Sequence, residues 1–358
     1  MLLNDTFDQN NAMPYKLVSV KLSVSIILIA VMFCTGCRKK DTTVRGIDVY
    51  VAGWHNFSGG KRVAKYWKNN VEVNLTDTTT VNIAEGDAIF VEGSDVYVAG
   101  YVDKPSMQRQ AAYWKNGNRV DLTDGTYQAN ANAITVFRGD VYVAGTETTL
   151  NGWEPRCWKN GVLQTVNSYT TNSSDYIYGL EVSGGDIYLA GFEVSGTKRY
   201  AVYWKNGQPF AIDSSDGWLA VTDIALSGSD VYLSGGADHH TPIKVGYWKN
   251  GNPAGLTIDA SGVGPESIAV IGSDVYIGGY NGQVATYWKN GMPVAIGNIS
   301  QGMSGGYGIF LLDNDVYTCG YQYTGAIMVA GYWKNTTWFP LPSTGVSPWG
   351  KAVFVVKQ

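Results

Sequence analysis

The chain has 358 residues with a formal net charge of −4, and only 16% of the residues are charged. This balance, without any basic run, argues against nucleic acid as a partner. The sequence is rich in glycine (44), tyrosine (24) and tryptophan (12), a composition typical of short strands, tight turns and large buried rings.

The first 37 residues resemble a secretory signal. Lys16 and Lys21 precede the apolar stretch SVSIILIAVMF (23–33), which ends in CTGC (34–37). A basic start, a short apolar core and small residues before a cysteine are typical of such signals. The CTGC ending resembles the lipobox of bacterial lipoproteins, although its first cysteine stands where that pattern prefers leucine. The alternative is an uncleaved anchor, but the apolar run is short for a span of roughly 20 residues.

We therefore predict residues 1–37 to be a lipoprotein-type signal peptide in which Cys37 is lipidated. Met13 is the predicted initiator, because the residues before it are acidic and polar. Residues 38–46 form the tether to the rest of the chain. This predicts a lipid-anchored protein of the bacterial cell envelope, and Arg38 after the cysteine slightly favours the outer membrane.

Residues 47–358 consist of seven copies of one unit, a DVYVAG strand followed by a loop and YWKNG. The unit is plainest as GSDVYVAG (93–100) and AYWKNG (112–117). The repeated aspartates are Asp48, Asp95, Asp140, Asp186, Asp230, Asp274 and Asp315. The repeated tryptophans are Trp67, Trp114, Trp158, Trp204, Trp248, Trp288 and Trp333. Successive aspartates lie 41 to 47 residues apart, a period typical of propeller blades.

Each unit contains four strand signals. The first is an apolar segment six or seven residues before the aspartate, such as AIFV (88–91), and the second is DVYVAG. The third ends in Trp-Lys-Asn, and the fourth follows at once, as in RVDLT (119–123). Asn-Gly between the last two strands predicts a type I′ hairpin turn, so each unit is a four-stranded antiparallel meander.

The strands are apolar on both faces, so both faces must be covered by neighbouring units. A closed ring provides this without polar end units. The first unit lacks its first strand, and the C-terminal KAVFVVKQ (351–358) matches the missing segment. The sequence therefore predicts an all-β fold: a seven-bladed β-propeller of four-stranded antiparallel blades, closed by the C-terminal strand completing blade one.

The two ends of the ring differ in their loops. Short turns join the first and second strands and the third and fourth strands, and we call this end the short-turn face. The other end, the variable face, carries long loops that differ between units, such as GWHNFSGGKR (53–62) and YVDKPSMQRQ (101–110). Because variable loops on a rigid scaffold usually carry function, ligand binding is expected there. The lysines of YWKNG lie on the short-turn face, where pairing with the aspartates is favoured over contact with lipid.

The entrance to the central channel is predicted to be formed by residues just before each first strand. These are Asp87, Asn132, Tyr178, Thr222, Glu266, Tyr307 and Lys351, with Asp223 one step further in. A polar ring at a channel mouth is a typical ligand site, and carboxylates there could perform acid–base chemistry. The sequence does not show whether any two carboxylates converge, so no catalytic residue is assigned.

Aromatic residues outside the repeat are the second set of candidates. Trp54, Trp153, Trp218 and Trp349 fall in or beside the variable loops, where exposed rings could stack on sugars or anchor a protein. The alternative is that they cover the ends of the blade interfaces.

No metal site or cofactor is predicted. His239 and His240 are adjacent, so their side chains diverge, and no third ligand is spaced for them. Cys157 and Cys319 belong to units three and seven, too far apart for a disulfide, which needs Cα atoms within about 7 Å. Both are expected to be buried free thiols.

The repeated DVYVAG and YWKNG segments resemble a family of bacterial secreted and lipoprotein β-propellers, and this resemblance implies fold and location without implying an activity. The favoured hypothesis is a lipid-anchored binding propeller whose variable face contacts a glycan or a protein. The alternative is a carbohydrate-active hydrolase or lyase that uses carboxylates at the channel mouth. A structural role in the envelope is a third reading.

Overall fold

The computed structural model describes residues 46–103, 108–237, 244–254 and 262–358. These residues form seven four-stranded antiparallel sheets, numbered here as blades in chain order. The structure is the predicted seven-bladed β-propeller. Within the described part of the chain, no helix has the length and apolar character needed to cross a membrane.

The strands of each blade are given from the innermost to the outermost. Blade one consists of Val346–Lys357 (β28), Ile47–Asn56 (β1), Arg62–Lys68 (β2) and Val71–Asn74 (β3). Blade two consists of Ile83–Glu92 (β4), Asp95–Asp103 (β5), Arg109–Lys115 (β6) and Asn118–Asp121 (β7). Blade three consists of Ala129–Phe137 (β8), Asp140–Thr149 (β9), Gly152–Lys159 (β10) and Val162–Gln164 (β11). Blade four consists of Ser174–Ser183 (β12), Asp186–Ser195 (β13), Lys198–Lys205 (β14) and Gln208–Ser215 (β15).

The remaining blades follow the same order. Blade five consists of Leu219–Ser227 (β16), Asp230–Ala237 (β17), Lys244–Lys249 (β18) and Asn252–Ala254 (β19). Blade six consists of Val263–Ile271 (β20), Asp274–Asn281 (β21), Val284–Lys289 (β22) and Met292–Ala295 (β23). Blade seven consists of Ser304–Leu312 (β24), Asp315–Thr324 (β25), Ile327–Lys334 (β26) and Thr337–Pro340 (β27). Two short 3₁₀ segments are Ser58–Gly60 and Ile299–Gln301.

The ring is closed by the two ends of the propeller chain. The C-terminal strand β28 pairs antiparallel with β1, so that Val49 lies opposite Val355 and Ile47 opposite Lys357. On its other sides β28 contacts the inner strands of blades two and seven, β4 and β24. The predicted closure is therefore confirmed, and the closing strand begins five residues earlier than the predicted segment, at Val346.

The short-turn face is built from one repeated polar network. In blade two, Asn116 and Gly117 both have positive φ (50° and 81°), as the type I′ turn requires. The side chain of Asn116 accepts a hydrogen bond from the Val96 N–H at 2.9 Å and donates one to Asp95 at 2.8 Å. Lys115 completes the network with an ion pair to Asp95 at 2.8 Å.

The same lysine–aspartate pair occurs in all seven blades, at 2.7 to 3.0 Å. Each of these ammonium groups also lies 5.1 to 5.7 Å from the ring of the neighbouring tyrosine of DVY. The lysines are thus held by their own hairpins, which supports the structural interpretation of this ring over a lipid-binding one.

The seven repeated tryptophans pack between blades. Their exposed fractions lie between 0% and 5%, which accords with the predicted packing role. Trp114, for example, belongs to an apolar cluster that also contains Ala52 of blade one and Val98 of blade two. The rings therefore hold neighbouring sheets together and do not offer a sugar platform.

Three of the connections between blades are held by the second residue after the repeated glycine. In blade seven this residue is Gln322, which donates to Gln301 Oε1 at 2.9 Å and accepts from the Asn298 N–H at 3.3 Å. His55 in blade one and Glu193 in blade four hold the corresponding connections. In blades one, four and seven this strand position thus attaches the blade to the chain segment that arrives from its predecessor.

Candidate functional site

The predicted channel residues share one structural position, a β-bulge in the inner strand of each blade. Between Gly86 and Ala88 the register against β5 shifts by one residue, which leaves Asp87 as the extra residue. The corresponding shifts in the other blades fall at Asn132, Tyr178, Thr222, Glu266, Tyr307 and Lys351. A bulge re-aims the side chain of its extra residue. The expectation that these residues precede the first strands was wrong, because each inner strand starts three to five residues before its bulge residue.

The repeated glycine of DVYVAG is required by this bulge. A Cβ atom built on Gly100 would lie 1.9 Å from the carbonyl oxygen of Glu85 on the bulged strand. The glycines of the other six blades would meet the inner-strand carbonyl oxygen at 1.7 to 2.1 Å in the same way. The glycine therefore permits the close approach of backbone that produces the bulge.

The seven bulge residues and Asp223 line one cavity of about 430 Å³ at the centre of the ring. The predicted convergence of these positions is thus seen in the structure. On the variable-face side the wall is extended by Glu85, Tyr101, Arg109 and Asn130. On the other side it is aliphatic, formed by Ile89, Ile134, Leu180, Ile309 and Val353.

Phenylalanines from three neighbouring inner strands meet below the aliphatic part of the wall. The ring of Phe354 lies 4.8 Å from Phe90 and 4.7 Å from Phe310. These three rings link the inner strands of blades seven, one and two. The cavity therefore has a polar upper wall and an apolar lower end.

Three cavity carboxyls, those of Asp87, Glu266 and Asp223, have pKa values raised above their ordinary range. Burial raises the pKa of Asp87 to about 6, although the nearby charges of Lys351, Arg109 and Arg62 oppose the shift. Burial also raises the pKa of Glu266, again opposed by Lys351. Because the Lys351 ammonium acts on both carboxyls, it lies within electrostatic range of blades two and six at once.

Asp223 lies at the boundary of blades five and six. Its carboxyl accepts hydrogen bonds from the Ile224 N–H at 2.8 Å and from the Ile268 N–H at 3.1 Å, yet burial raises its pKa to about 7. Burial and the charge of Asp223 raise the pKa of Glu181 to about 7 as well. This side of the channel is thus acidic and partly protonated at neutral pH.

The opposite side of the cavity carries two cations, Arg109 and Lys351, beside the carboxyls of Glu85 and Asp87. The Arg109 guanidinium lies 3.7 Å from the ring centroid of Tyr101 and donates to Asp103 and Asn130 at 3.1 Å. Lys351 Nζ lies 4.2 Å from the centroid of Tyr307. Cations on blades one and two therefore face carboxyls on blades five and six across the same space.

Two of the four candidate tryptophans come together beside the cavity. Trp54 lies within β1 and is only 7% exposed, which favours the alternative of a buried packing role over an exposed binding ring for this residue. It stacks on Trp349 with ring centroids 5.6 Å apart and planes 9° apart. Trp349 in turn lies 5.5 Å from Tyr307, which lines the cavity. The Trp54–Trp349 pair of blade one thus contacts the cavity lining through Tyr307 of blade seven, without lining the cavity itself.

A second aromatic group lies on blades three and four. Trp153 contacts Tyr176 at 5.9 Å, Tyr176 stacks on Phe192 at 4.9 Å, and Phe192 lies 6.0 Å from Tyr178. Tyr178 lines the cavity and is 41% exposed. Trp218 is 42% exposed but does not line the cavity. None of the four tryptophans lines the cavity: three belong to aromatic groups that reach it through Tyr307 or Tyr178, and Trp218 lies apart from it.

Sequence reasoning missed Glu85, Tyr101, Arg109 and Asn130. Their positions in the repeat could have identified three of them. Glu85 and Asn130 lie two residues before a bulge residue, and Tyr101 directly follows a repeated glycine. The two remaining cysteines, Cys157 and Cys319, are free and buried, as expected. The predicted lipidation residue Cys37 and the histidines His239 and His240 lie outside the described residues.

Comparisons with known proteins give only distant similarities. No family model and no curated protein matches the chain. A structure of prolyl endopeptidases is similar over 86% of this chain and 50% of that one, at 11% identity and a TM-score of 0.49. A puromycin-hydrolysing peptidase of Mycobacterium tuberculosis shares 10% identity over 83% and 53%, also with a TM-score of 0.49. A nidogen/laminin complex shares 8% identity over 87% and 98%, with a TM-score of 0.40.

The chain spans about half the length of the two peptidase structures that it matches. Scores at this level carry no argument about activity. The fold assignment follows from the seven sheets themselves, and the resemblance to bacterial lipoprotein propellers stays a prediction.

Proposed function

We propose that this propeller is a binding protein that takes a glycan into its central cavity from the variable face. The supporting observation is the convergence of seven bulge residues on one cavity of about 430 Å³, within the usual size range of small-molecule sites. Six of these seven carry hydroxyl, amide or carboxyl groups, and two of the six are tyrosines. Hydroxyl-rich ligands with apolar C–H faces match such a lining.

The arrangement of the aromatic walls supports a sugar ring as the bound unit. Tyr178 is on blade four, whereas Tyr307 and Trp349 are on blades seven and one, which lie across the ring from it. Flat rings stack on the C–H faces of a sugar, and the carboxyls and ammonium between them can bond its hydroxyls. The raised pKa values of Asp87 and Asp223 allow these groups to donate as well as accept near neutral pH.

Binding to a glycan array, followed by titration of the best ligand, tests this proposal with two matched variants. Tyr178 and Trp218 are equally exposed, at 41% and 42%, but only Tyr178 lines the cavity. We expect Tyr178→Ala to weaken binding about tenfold, since an aromatic contact contributes about 1 kcal/mol or more. Trp218→Ala should leave Kd unchanged. If Trp218→Ala weakens binding and Tyr178→Ala does not, the ligand binds outside the cavity, at the variable loops. If no glycan on the array binds, a protein partner is favoured.

A carbohydrate-active hydrolase or lyase is the second candidate function. It is favoured by Asp87, whose pKa of about 6 suits a general acid, and by Glu266 in the same cavity, which could serve as its partner. Incubating the bound glycan with the protein and analysing the products distinguishes the two functions. An unchanged glycan after long incubation excludes the enzymatic reading.

We also propose that the protein is held at the cell envelope by a lipid on Cys37. The signal-like pattern of residues 1–37 supports this proposal. The described chain starts at Gly46 on the short-turn face, where the Gly46 carbonyl accepts a hydrogen bond from the Gln358 N–H at 2.9 Å. A tether entering there would leave the variable face directed away from the membrane. Mass spectrometry of the mature N-terminal peptide tests the proposal, and an unmodified Cys37 would contradict it.

A further inference from the structure

Arginines cover aromatic rings on the variable-face side of three blades. In blade two the residue after the repeated glycine is Tyr101, and the Arg109 guanidinium lies 3.7 Å from its ring centroid. Blades one and four contain the same kind of pair at 5.4 Å, Arg62 with Trp54 and Arg199 with Phe192. In all three blades the arginine lies on the third strand, two residues before the alanine that stands opposite the ring. Each of these rings thus has a protein cation on it.

Blade six has the ring without the arginine. Tyr280 follows the repeated glycine of this blade, and at the register of the arginines the hairpin turns, at Gly282 and Gln283. Among the described residues, no cation and no second aromatic ring contacts the Tyr280 ring. Tyr321 of blade seven also lacks an arginine, but Trp349 covers it at 4.9 Å. Tyr280 therefore offers a position for a cation that the protein does not supply.

The carboxyl beside this ring is Glu266, which lines the cavity. Within the described part of the chain it forms no ion pair and accepts no hydrogen bond. Burial raises the pKa of the Tyr280 hydroxyl and the charge of Glu266 raises it further, so the two groups lie within electrostatic range. Burial, and to a smaller extent Glu266, also raises the pKa of Tyr178 and of Tyr307. A carboxylate among three tyrosines offers an ammonium group both ion pairing and attraction to aromatic rings.

The balance of charge in the cavity also favours a cationic ligand. Glu85 of blade two is already paired with Arg62. Asp103 of the same blade is paired with Arg109 at 3.1 Å. The charged groups of the lining that remain are the carboxyls of Asp87, Asp223 and Glu266 and the ammonium of Lys351. Three carboxyls thus face one ammonium, and a positive charge on the ligand would reduce the repulsion among them.

We propose that the cavity selects amino sugars, and that the protonated amine of the sugar forms an ion pair with Glu266 beside the Tyr280 ring. This inference rests on the glycan-binding function proposed above and names the class of sugar. The amine takes in blade six the position that arginine takes in blades one, two and four. An N-acetylated sugar lacks the positive charge and a uronic acid carries the opposite charge, so both should bind more weakly.

Calorimetric titration of the unaltered protein tests this selectivity. The probes are glucosamine and galactosamine, each compared with its N-acetyl derivative and with the uronic acid of the same sugar. The amino sugar of at least one series should bind about tenfold or more tightly than its two counterparts, since it alone can make the charged contact.

A pair of matched variants assigns the preference to Glu266. Glu266→Gln should weaken binding of the amino sugar about tenfold and change binding of the N-acetyl form by less than about twofold. Glu92→Gln makes the same change of net charge at the end of β4, outside the cavity, and should leave the preference intact.

Lys351→Gln reports the sign of the ligand charge and leaves Glu266 unaltered, in case Glu266→Gln does not fold. Loss of this ammonium should strengthen binding of an amino sugar and weaken binding of an acidic one. Equal affinities within each series, or a preference for the N-acetyl or acidic form that Tyr178→Ala abolishes, would overturn this inference and leave the cavity as the glycan site. If none of these sugars and no glycan on the array binds, the glycan-binding function is itself contradicted and the selectivity falls with it.

Discussion

At the scale of single residues, the repeat contains two kinds of glycine with different physical roles. The turn glycine, such as Gly117, supplies a positive φ of 81° and faces open space. The strand glycine, such as Gly100, instead makes room for the Glu85 carbonyl of a neighbouring strand. The first role was predictable from Asn-Gly. The second was not, because the bulge that requires it lies on a different strand.

The two roles predict different effects of an added methyl group. Gly100→Ala should lower the free energy of unfolding by about 2–4 kcal/mol, since the backbone of two strands must move apart. Gly117→Ala should cost only about 1–2 kcal/mol, the strain of a left-handed alanine. Urea unfolding of the two variants measures the difference. Equal effects would show that the bulge adapts to the methyl group.

At the scale of elements, a buried polar cluster attaches the closing strand to blade one. His55 and Lys65 are 0% exposed. Lys65 Nζ contacts both His55 Nδ1 and Glu72 Oε1, and His55 Nδ1 lies 3.0 Å from Ser343 Oγ. Thr344 Oγ1 donates to Glu72 at 2.9 Å. The connection that leads into β28 is therefore held by side chains of β1, β2 and β3.

This cluster should make stability depend on pH. Burial, and then the charge of Lys65, lowers the pKa of His55 from its ordinary 6.5 to about 4. Between these values the unfolded chain binds a proton that the folded protein excludes, so stability is lost as the pH falls from 6.5 to 4. His55→Gln, which installs the residue found at Gln322 in blade seven, should reduce this loss by roughly 1–3 kcal/mol. Urea unfolding at pH 7 and pH 4.5 measures the free energy of unfolding of both proteins. If both lose the same free energy between these pH values, His55 is not the group responsible.

Strand order was predictable at this scale, but strand length was not. The segments AIFV (88–91) and KAVFVVKQ (351–358) marked only the apolar halves of β4 and β28. In the structure β4 begins at Ile83 and β28 begins at Val346. A bulge interrupts the two-residue alternation, so the residues before it, such as Ile83 to Gly86, do not continue the pattern. Asp87 was predicted at the edge of a strand, whereas the structure places it within β4, at a bulge that lines the central cavity.

At the scale of the whole molecule, convergence of the cavity residues depends on ring closure. Asp87 and Glu266 are 179 positions apart in the sequence and share one cavity only because seven blades complete a circle. Their separation could not be predicted, because it depends on the tilt of seven sheets and not on any local pattern. Which residues face the channel could be predicted, since one repeated position serves every blade.

Removal of residues 352–358 should therefore affect the entire propeller. The deletion exposes the apolar interfaces that Val353 and Val355 (6% and 3% exposed) now cover. Two such side chains contribute about 3–6 kcal/mol, so the Tm should fall by roughly 10 °C or more, together with loss of ligand binding. Lys357→Ala is the control, because it removes only the exposed ion pair with Asp313 and should change the Tm by about 1 °C or less. A synthetic peptide of residues 346–358 added to a chain ending at Gly345 should restore part of the lost stability. If the deletion and the control have the same Tm, the ring is held by its blade interfaces without the closing strand.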